Sequence, residues 1–220
     1  MKKYFVTHYI KYERMMKDYY PYSTLNYESV EVKNVIGTIF KIIEVIKKVE
    51  KKHIKNIEKN TSELLYTLDN FLITLPIFRK KVVYLLLRNI VECTVNSWIL
   101  SFYNDEFSSF RESKEFIKDK SIYNENKNIF DSLFQSYTEF SSIIHFNGSY
   151  HSHDFLSKRI ELECKGEDWN KINSSLNFVL ISLLLLLRKD ENKFSTNYKI
   201  LLQDVLSKNE YNIIVNTNIK

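Results

Sequence analysis

Three polar side chains recur at helical spacing inside an apolar stretch of the chain. Arg88, Glu92 and Asn96 fall at positions i, i+4 and i+8 of "LLLRNIVECTVNSWIL", so a helix would place them on one face. A polar stripe inside a helical bundle must find partners, because burying it without them is costly. Either Arg88 holds a phosphate or an oxyanion and Glu92 orients it, or the stripe is a structural ion pair or faces solvent.

A cluster of histidines lies in the segment "SSIIHFNGSYHSHDF". His145 follows an apolar run near a predicted helix end, where a protonated imidazole is favoured, so we expect it inside the protein with a partner. A metal centre is one hypothesis for this segment, and its ligands would be His145, His151, His153 and Asp154. A polar loop is the preferred interpretation of "HSHD", because the sequence has neither an HExxH motif nor paired cysteines.

Lysines dominate one side of the helix predicted between residues 31 and 59. Seven lysines and three glutamates between residues 41 and 59 give a local charge of 7 − 3 = +4. The lysines predicted to share the side opposite the apolar stripe are Lys41, Lys48, Lys52, Lys55 and Lys59. Such a face is either a solvated surface or a surface for the phosphate backbone of a nucleic acid, whose affinity would fall steeply with salt.

The elements that carry these side chains are predicted to be helices. The 220 residues include three glycines and two prolines, too few for the turns of a β-sandwich or barrel, and they contain no glycine-rich phosphate loop. Apolar residues recur at helical spacing in most segments. We therefore predict an all-α fold, a single helical bundle over residues 28–208. A Tyr-rich N-terminal arm at 1–27, irregular or shortly helical, precedes it, and a polar C-terminal tail at 209–220 follows.

Composition also limits the partners and the location of the protein. A net charge of +5 and a pI near 8.9 permit a nucleic-acid partner without requiring one. Cys93 and Cys164 form no CxxC motif and indicate a reducing compartment. The most apolar run, residues 176–187, is shorter than the about 20 residues that span a bilayer. With no signal peptide recognised, we expect a cytoplasmic protein without a membrane association or a cofactor.

The central helix and the histidine segment together resemble a known family. "RNIVECTVNSWIL", followed about forty residues later by "YTEFSSIIHFNGSYH", is similar to the HEPN superfamily of bacterial helical bundles. Members occur in toxin–antitoxin, abortive-infection and other phage-defence systems. The resemblance spans roughly residues 60–190. The residues that carry it are Arg88, Glu92, Ser141 or Ser142, and His145.

The resemblance implies a metal-independent ribonuclease that works as a homodimer. In the implied site His145 is the general acid or base, and Arg88, oriented by Glu92, stabilises the phosphorane charge. Asn96 and Ser142 would support these groups. The chain departs from the nuclease signature, because none of its arginines is followed by a histidine four to six residues later. That departure favours a second hypothesis, a non-catalytic partner subunit or antitoxin that binds protein through the Tyr-rich arm.

Overall fold

The computed structural model describes residues 3–50, 58–77, 79–145, 166–189, 203 and 206–216, and the regular structure in these ranges is entirely helical. The predicted all-α fold is therefore confirmed for this part of the chain. In chain order the helices are α1 (Lys3–Tyr19), α2 (Val30–Glu50), α3 (Glu58–Thr74), α4 (Lys80–Tyr103), α5 (Phe110–Lys118), α6 (Ser121–Glu125), α7 (Lys127–Ile144), α8 (Gly166–Lys189) and α9 (Lys208–Asn216).

The central helix of the bundle is α4, which contacts α3, α5, α7 and α8. Its sequence is apolar over most of its circumference, as expected of a helix with neighbours on several sides. It ends at Asn104, which adopts the left-handed conformation (φ 55°) and donates its N–H to the carbonyl oxygen of Leu100. Because residues 86–101 of α4 include no exposed side chain, a polar side chain in this part has to reach a cleft or a partner on a neighbouring helix.

Polar contacts set α4 parallel to α8. Tyr84 Oη donates to Asp168 Oδ1 at 2.8 Å, and further along both helices Trp98 Nε1 donates to Ser182 Oγ at 2.7 Å. Lys80 Nζ lies 2.9 Å from Asp168 Oδ1, so the nearly buried carboxylate is paired. Partnered polar groups of this kind specify one packing of the two helices, since a shift along the axis would leave them buried and unpaired.

The N-terminal segment departs from the predicted irregular or shortly helical arm, because it forms the 17-residue helix α1. Phe5, Tyr9, Tyr12 and Met16 follow helical spacing and are buried in the common core. The Tyr12 hydroxyl donates to the carbonyl oxygen of Leu72 at 2.7 Å. Burial raises the pKa of Tyr12 well above its ordinary value, so the hydroxyl stays a donor. Tyrosine can serve as a core residue here because its ring is buried while its hydroxyl finds a carbonyl.

The segment predicted as a polar tail also contains a helix, α9, whose described residues extend to Asn216. Tyr211 packs against the core, and Glu210 forms an ion pair with Lys41 of α2 at 2.9 Å. The tail is therefore attached to the bundle through both an apolar and a charged contact. At the start of α3, Thr61 lies inside the helix and is buried.

Candidate functional site

An open cleft lies where α4, α5 and α7 meet, and its volume is about 410 Å³. The side chains that line it are Arg88, Glu92, Ser108, Ser109, Phe110, Arg111, Lys114, Tyr137 and Thr138. Two of the residues predicted to form a site, Arg88 and Glu92, are thus placed together in one cleft. They are joined there by two further cations that the sequence had not singled out.

The guanidinium of Arg88 is held by an aromatic ring. Its Cζ lies 4.8 Å from the centroid of the Tyr137 ring, within the range of a cation–π contact. Phe110 stacks on the same ring, with centroids 3.6 Å apart and planes inclined by 15°. Because Phe110 covers one face of Tyr137, the guanidinium lies over the other. In the described part of the chain, no carboxylate oxygen comes within ion-pair distance of Arg88.

The Glu92 carboxylate is the acidic group of the cleft. Burial raises its pKa above the usual value, and the nearby charge of Arg88 only partly offsets this effect. Glu63 on α3 adds a further upward shift. Arg88 and Glu92 therefore influence each other electrostatically, but they do not form the direct ion pair that was predicted. A carboxyl group with a raised pKa in an open cleft is suited to accepting or releasing a proton.

The first turn of α5 forms another part of the cleft lining. Side chains at this helix start accept hydrogen bonds from its backbone N–H groups. Ser109 is the N-cap and accepts the N–H of Glu112 at 3.3 Å, while Glu112 Oε2 accepts the N–H of Ser108 at 3.2 Å. The arrangement resembles a capping box but is displaced by one residue, because Glu112 accepts from the residue before the N-cap. Since the helix end is already satisfied, the positive character of this wall comes from Arg111 and Lys114. Arg111 pairs with Glu115 at 3.1 Å, but both side chains are exposed and such pairs are weak.

His145 is placed away from Arg88. Ring contacts pair Tyr84 with Phe140 and Trp98 with Phe130, so α7 runs antiparallel to α4. The residue of α7 beside Arg88 is Tyr137, and His145 lies eight residues further on, ~12 Å along the helix axis. The described chain therefore does not bring His145 and Arg88 together as the implied ribonuclease site requires.

The environment of His145 also differs from the expected one. It is the C-cap of α7, its side chain is exposed, and its N–H donates to the carbonyl oxygen of Ser141 at 3.0 Å. The expectation of an inside position is wrong, because α7 ends at Ile144 and His145 is the capping residue beyond it. Ser142 is exposed as well and donates its hydroxyl to the carbonyl oxygen of Glu139 at 2.7 Å. Neither residue lines the cleft.

Asn96 has a structural contact rather than a place in the cleft. Its Oδ1 accepts the hydroxyl of Ser113, a buried residue of α5, at 2.8 Å. The bond attaches α5 to α4 one turn beyond Glu92 and so helps to keep Arg111 and Lys114 beside the cleft. The contact that Asn96 makes supports the position of a helix, and its predicted support of the reacting groups stays a prediction.

The lysine face predicted on α2 is only partly described. Lys41 Nζ lies 2.9 Å from one oxygen of Glu210 and 3.0 Å from the other, so its charge is paired inside the molecule. The side chains of Lys48 and Lys59, and the whole of Lys52 and Lys55, lie outside the described residues. Of the five predicted lysines, only the side chain of Lys41 is described, and its charge is paired. A row of available cations on this face therefore stays a prediction.

Most residues of the hypothetical metal centre lie outside the described ranges. His151, His153 and Asp154 are not among the described residues, and within the described ranges no group of His, Cys, Asp and Glu side chains is arranged to hold a metal ion. In the same ranges, no helix combines the length and the apolar character needed to cross a membrane. Burial raises the pKa of the Cys93 thiol to about 12, so this cysteine stays protonated at neutral pH.

Sequence reasoning missed Arg111, Lys114 and Tyr137. A signal for the first two was present, because Arg111, Lys114 and Lys118 stand at i, i+3 and i+7 and share a face of a short helix. No local signal could show that Tyr137 would lie against Arg88, since 49 residues separate the two in the chain. Comparison with known proteins adds no candidate residue: no family model, curated protein or solved structure shows a significant match to the chain.

Proposed function

We propose that this protein binds RNA through the cleft where α4, α5 and α7 meet. The observation that carries this proposal is the state of Arg88, which lies over Tyr137 and has no carboxylate partner among the described residues. An arginine held in this way keeps its fork of N–H donors available for a phosphate. Arg111 and Lys114 add positive charge to the same lining. A polyanion would relieve the repulsion among these three cations.

The size of the cleft supports a nucleotide as the bound unit. A volume of about 410 Å³ lies within the range of pockets that take small ligands. Bases of single-stranded RNA stack on aromatic rings and on guanidinium planes, and cations contact the phosphates. Arg88 itself can offer both kinds of contact, because its guanidinium has a plane for a base and N–H donors for a phosphate. These features favour one nucleotide of an RNA strand over an isolated inorganic anion.

The resemblance to HEPN proteins supports the choice of RNA and the biological setting. By that resemblance, the protein would act in the bacterial cytoplasm within a phage-defence or toxin–antitoxin system, as a homodimer. The missing Arg–x(4–6)–His signature and the distant His145 both favour binding over the cleavage scheme that the family implies. Binding is therefore the core of the proposal, and cleavage is an additional step.

If the bound RNA is also cleaved, the proton-transfer group in the cleft is Glu92. Its raised pKa suits it to take the proton from a 2′-hydroxyl that attacks the adjacent phosphorus. The bond from phosphorus to the 5′-oxygen breaks, the 5′-oxygen takes a proton from solvent water, and a cyclic phosphate remains. Arg88 would stabilise the charge on the phosphorane. We expect Glu92→Gln to stop the cut while RNA binding persists. Loss of the cut in His145→Ala with cutting retained in Glu92→Gln would contradict this assignment.

The proposal is tested by titrating a labelled single-stranded RNA of about eight nucleotides with the protein and following fluorescence anisotropy. We expect Arg88→Gln to lower the affinity at least tenfold, because a charge-assisted contact is lost. Arg14→Gln is the matched control, since Arg14 is an exposed arginine of α1 that does not line the cleft. Equal affinities of wild type and Arg88→Gln, with both folded, would refute RNA binding at the cleft.

A second candidate function is the non-catalytic interaction module. It is favoured by Tyr19 and Tyr22, which are 73% and 96% exposed where α1 leads into α2. Exposed tyrosines of this kind are typical of protein interfaces. Copurification of a protein partner that is lost on the double change Tyr19→Ser, Tyr22→Ser would favour this function. Undiminished copurification in that variant would exclude these residues as the contact.

A further inference from the structure

Positive charge continues from the cleft along α5 and beyond its end. The ammonium groups of Lys114 and Lys118 lie 5.3 and 5.9 Å from the centroid of the same ring, that of Phe134. Lys120, just after α5, lies 4.2 Å from the Phe116 ring and 5.2 Å from the Tyr103 ring. Each of these lysines is thus held over an aromatic ring at a defined place.

These lysines lack the acidic partners that neutralise other cations of the molecule. No carboxylate oxygen stands within ion-pair distance of Lys114, Lys118 or Lys120 in the described chain. The nearby carboxylate of Asp131 is already engaged, because it binds Lys127 Nζ at 2.8 Å and the Tyr123 hydroxyl at 2.7 Å. Two like charges on one ring without a carboxylate between them make a place where an anion is attracted.

Lys118 continues the row of cations that lines the cleft. Arg111, Lys114 and Lys118 stand at i, i+3 and i+7 of α5 and so share one face of the helix. From Arg111 to Lys118 the helix rises by about 10 Å. Arg111 and Lys114 line the cleft, and Lys118 carries the same row beyond it. A chain of phosphates that begins in the cleft would therefore meet Lys118. It would reach Lys120 by turning around the end of α5, because the Phe116 ring under Lys120 lies on the other side of that helix.

We propose that the α5 row formed by Lys114, Lys118 and Lys120 binds the sugar–phosphate backbone of a single-stranded RNA, one nucleotide of which occupies the cleft. This inference rests on the proposed RNA binding and adds the form and the path of the strand. The strand is single because the cleft takes one nucleotide, and a base paired in a duplex cannot enter it without leaving the stack. Contacts to the backbone make the row indifferent to base sequence.

The test measures how RNA affinity depends on salt. For single strands, each phosphate contact contributes about 0.7 to the slope of log affinity against log salt concentration. With an RNA of about eight nucleotides, we expect Lys118→Gln and Lys120→Gln each to lower that slope by about 0.7. Lys118→Arg, which keeps the charge, should restore it. The matched control is Lys33→Gln, because Lys33 also lies over a ring, at 6.0 Å from Tyr9, but is paired with Glu28 at 2.6 Å.

The length and form of the nucleic acid provide a second measurement. A mononucleotide should bind wild type, Lys118→Gln and Lys120→Gln equally, because it reaches only the cleft. Fully duplex RNA of the same sequence should bind more weakly than the single strand. An unchanged slope in both Lys→Gln variants, or duplex binding equal to that of the single strand, overturns the α5 path. If Arg88→Gln still weakens binding in that case, RNA binding at the cleft stands; if no RNA binds the wild type, both proposals fall.

Discussion

Two basic surfaces of this protein differ in what their cations contact. On α2, Lys41 is paired with Glu210 and Lys47 lies 3.5 Å from Glu44. Around the cleft and α5, by contrast, Arg88 and the lysines of the α5 row lie over aromatic rings and have no carboxylate at ion-pair distance in the described chain. The first surface is richer in lysine by sequence, and its described lysines Lys41 and Lys47 are paired, whereas Arg88 and the α5 row are not paired in the same described ranges. A count of lysines is therefore a poor guide to the available positive charge, since pairing decides how much of that charge is available.

The largest effect is expected when the cleft loses two cations. We predict that Arg88→Gln combined with Lys114→Gln lowers the affinity for single-stranded RNA by roughly 100-fold, because two charge-assisted contacts are lost. Lys41→Gln, on the other surface, should leave the affinity within about twofold. Both are measured by anisotropy titration at one fixed salt concentration. A larger loss in Lys41→Gln than in the cleft variant would reverse the comparison.

A smaller effect is expected from releasing the paired lysine on α2. Although burial raises the pKa of Glu210, the hydrogen bond from Lys41 and the bond from the Ser207 N–H outweigh it and hold the pKa below its ordinary value. The stabilisation is thus present at neutral pH and is lost as the pH falls through that lowered pKa. We predict that Glu210→Gln lowers the free energy of unfolding by about 1 kcal/mol at neutral pH.

The same variant also tests whether the pairing of Lys41 limits RNA binding at the α2 surface. With its partner removed, Lys41 becomes available, so Glu210→Gln should bind RNA somewhat more tightly than wild type. Denaturant titrations at neutral and acidic pH give the stability difference, which should vanish at acidic pH where wild-type Glu210 is protonated. A constant stability difference at all pH values would mean that the charge of Glu210 is not its cause.

Removing the one acidic group of the cleft should act in the opposite direction to removing its cations. Because burial raises the pKa of Glu92, ionising it destabilises the folded state as the pH rises through the raised value. We predict that Glu92→Gln is more stable than wild type at neutral pH and binds RNA a few-fold more tightly. Below the ordinary pKa of a glutamate the stabilities should converge. Thermal unfolding across pH measures this, and a variant less stable than wild type at neutral pH would contradict it.

The smallest effect is expected at the histidine that the sequence brought forward. His145 is exposed and does not line the cleft, so His145→Ala should change neither the melting temperature nor the RNA affinity measurably. A clear loss of binding would show that the nucleic acid extends to the end of α7. The RNA-binding surface would then include the end of α7 as well as the cleft.

Much of the fold was predictable because helical periodicity is a local property. The apolar spacing of α7 and the apolar circumference of α4 identify both helices without reference to any other part of the chain. The sequence left open whether the N-terminal segment is irregular or shortly helical, and there is a physical reason: Tyr9 and Tyr12 carry polar hydroxyls, and only their distant acceptors, the carbonyl oxygens of Tyr27 and Leu72, make their burial tolerable. Such acceptors are not visible in a short window of sequence.

The site shows the same division between local and distant information. Arg88 and Glu92 share a helix, so their common face followed from spacing alone. The ion pair of Lys41 with Glu210 and the contact of Arg88 with Tyr137 did not follow from spacing, because 169 and 49 residues separate the partners along the chain. Local apolar patterns are enough to identify helices, since the periodicity is a property of residues that are close in sequence. Which charges are paired and which stay available depends on how the helices pack, and only the tertiary structure determines that.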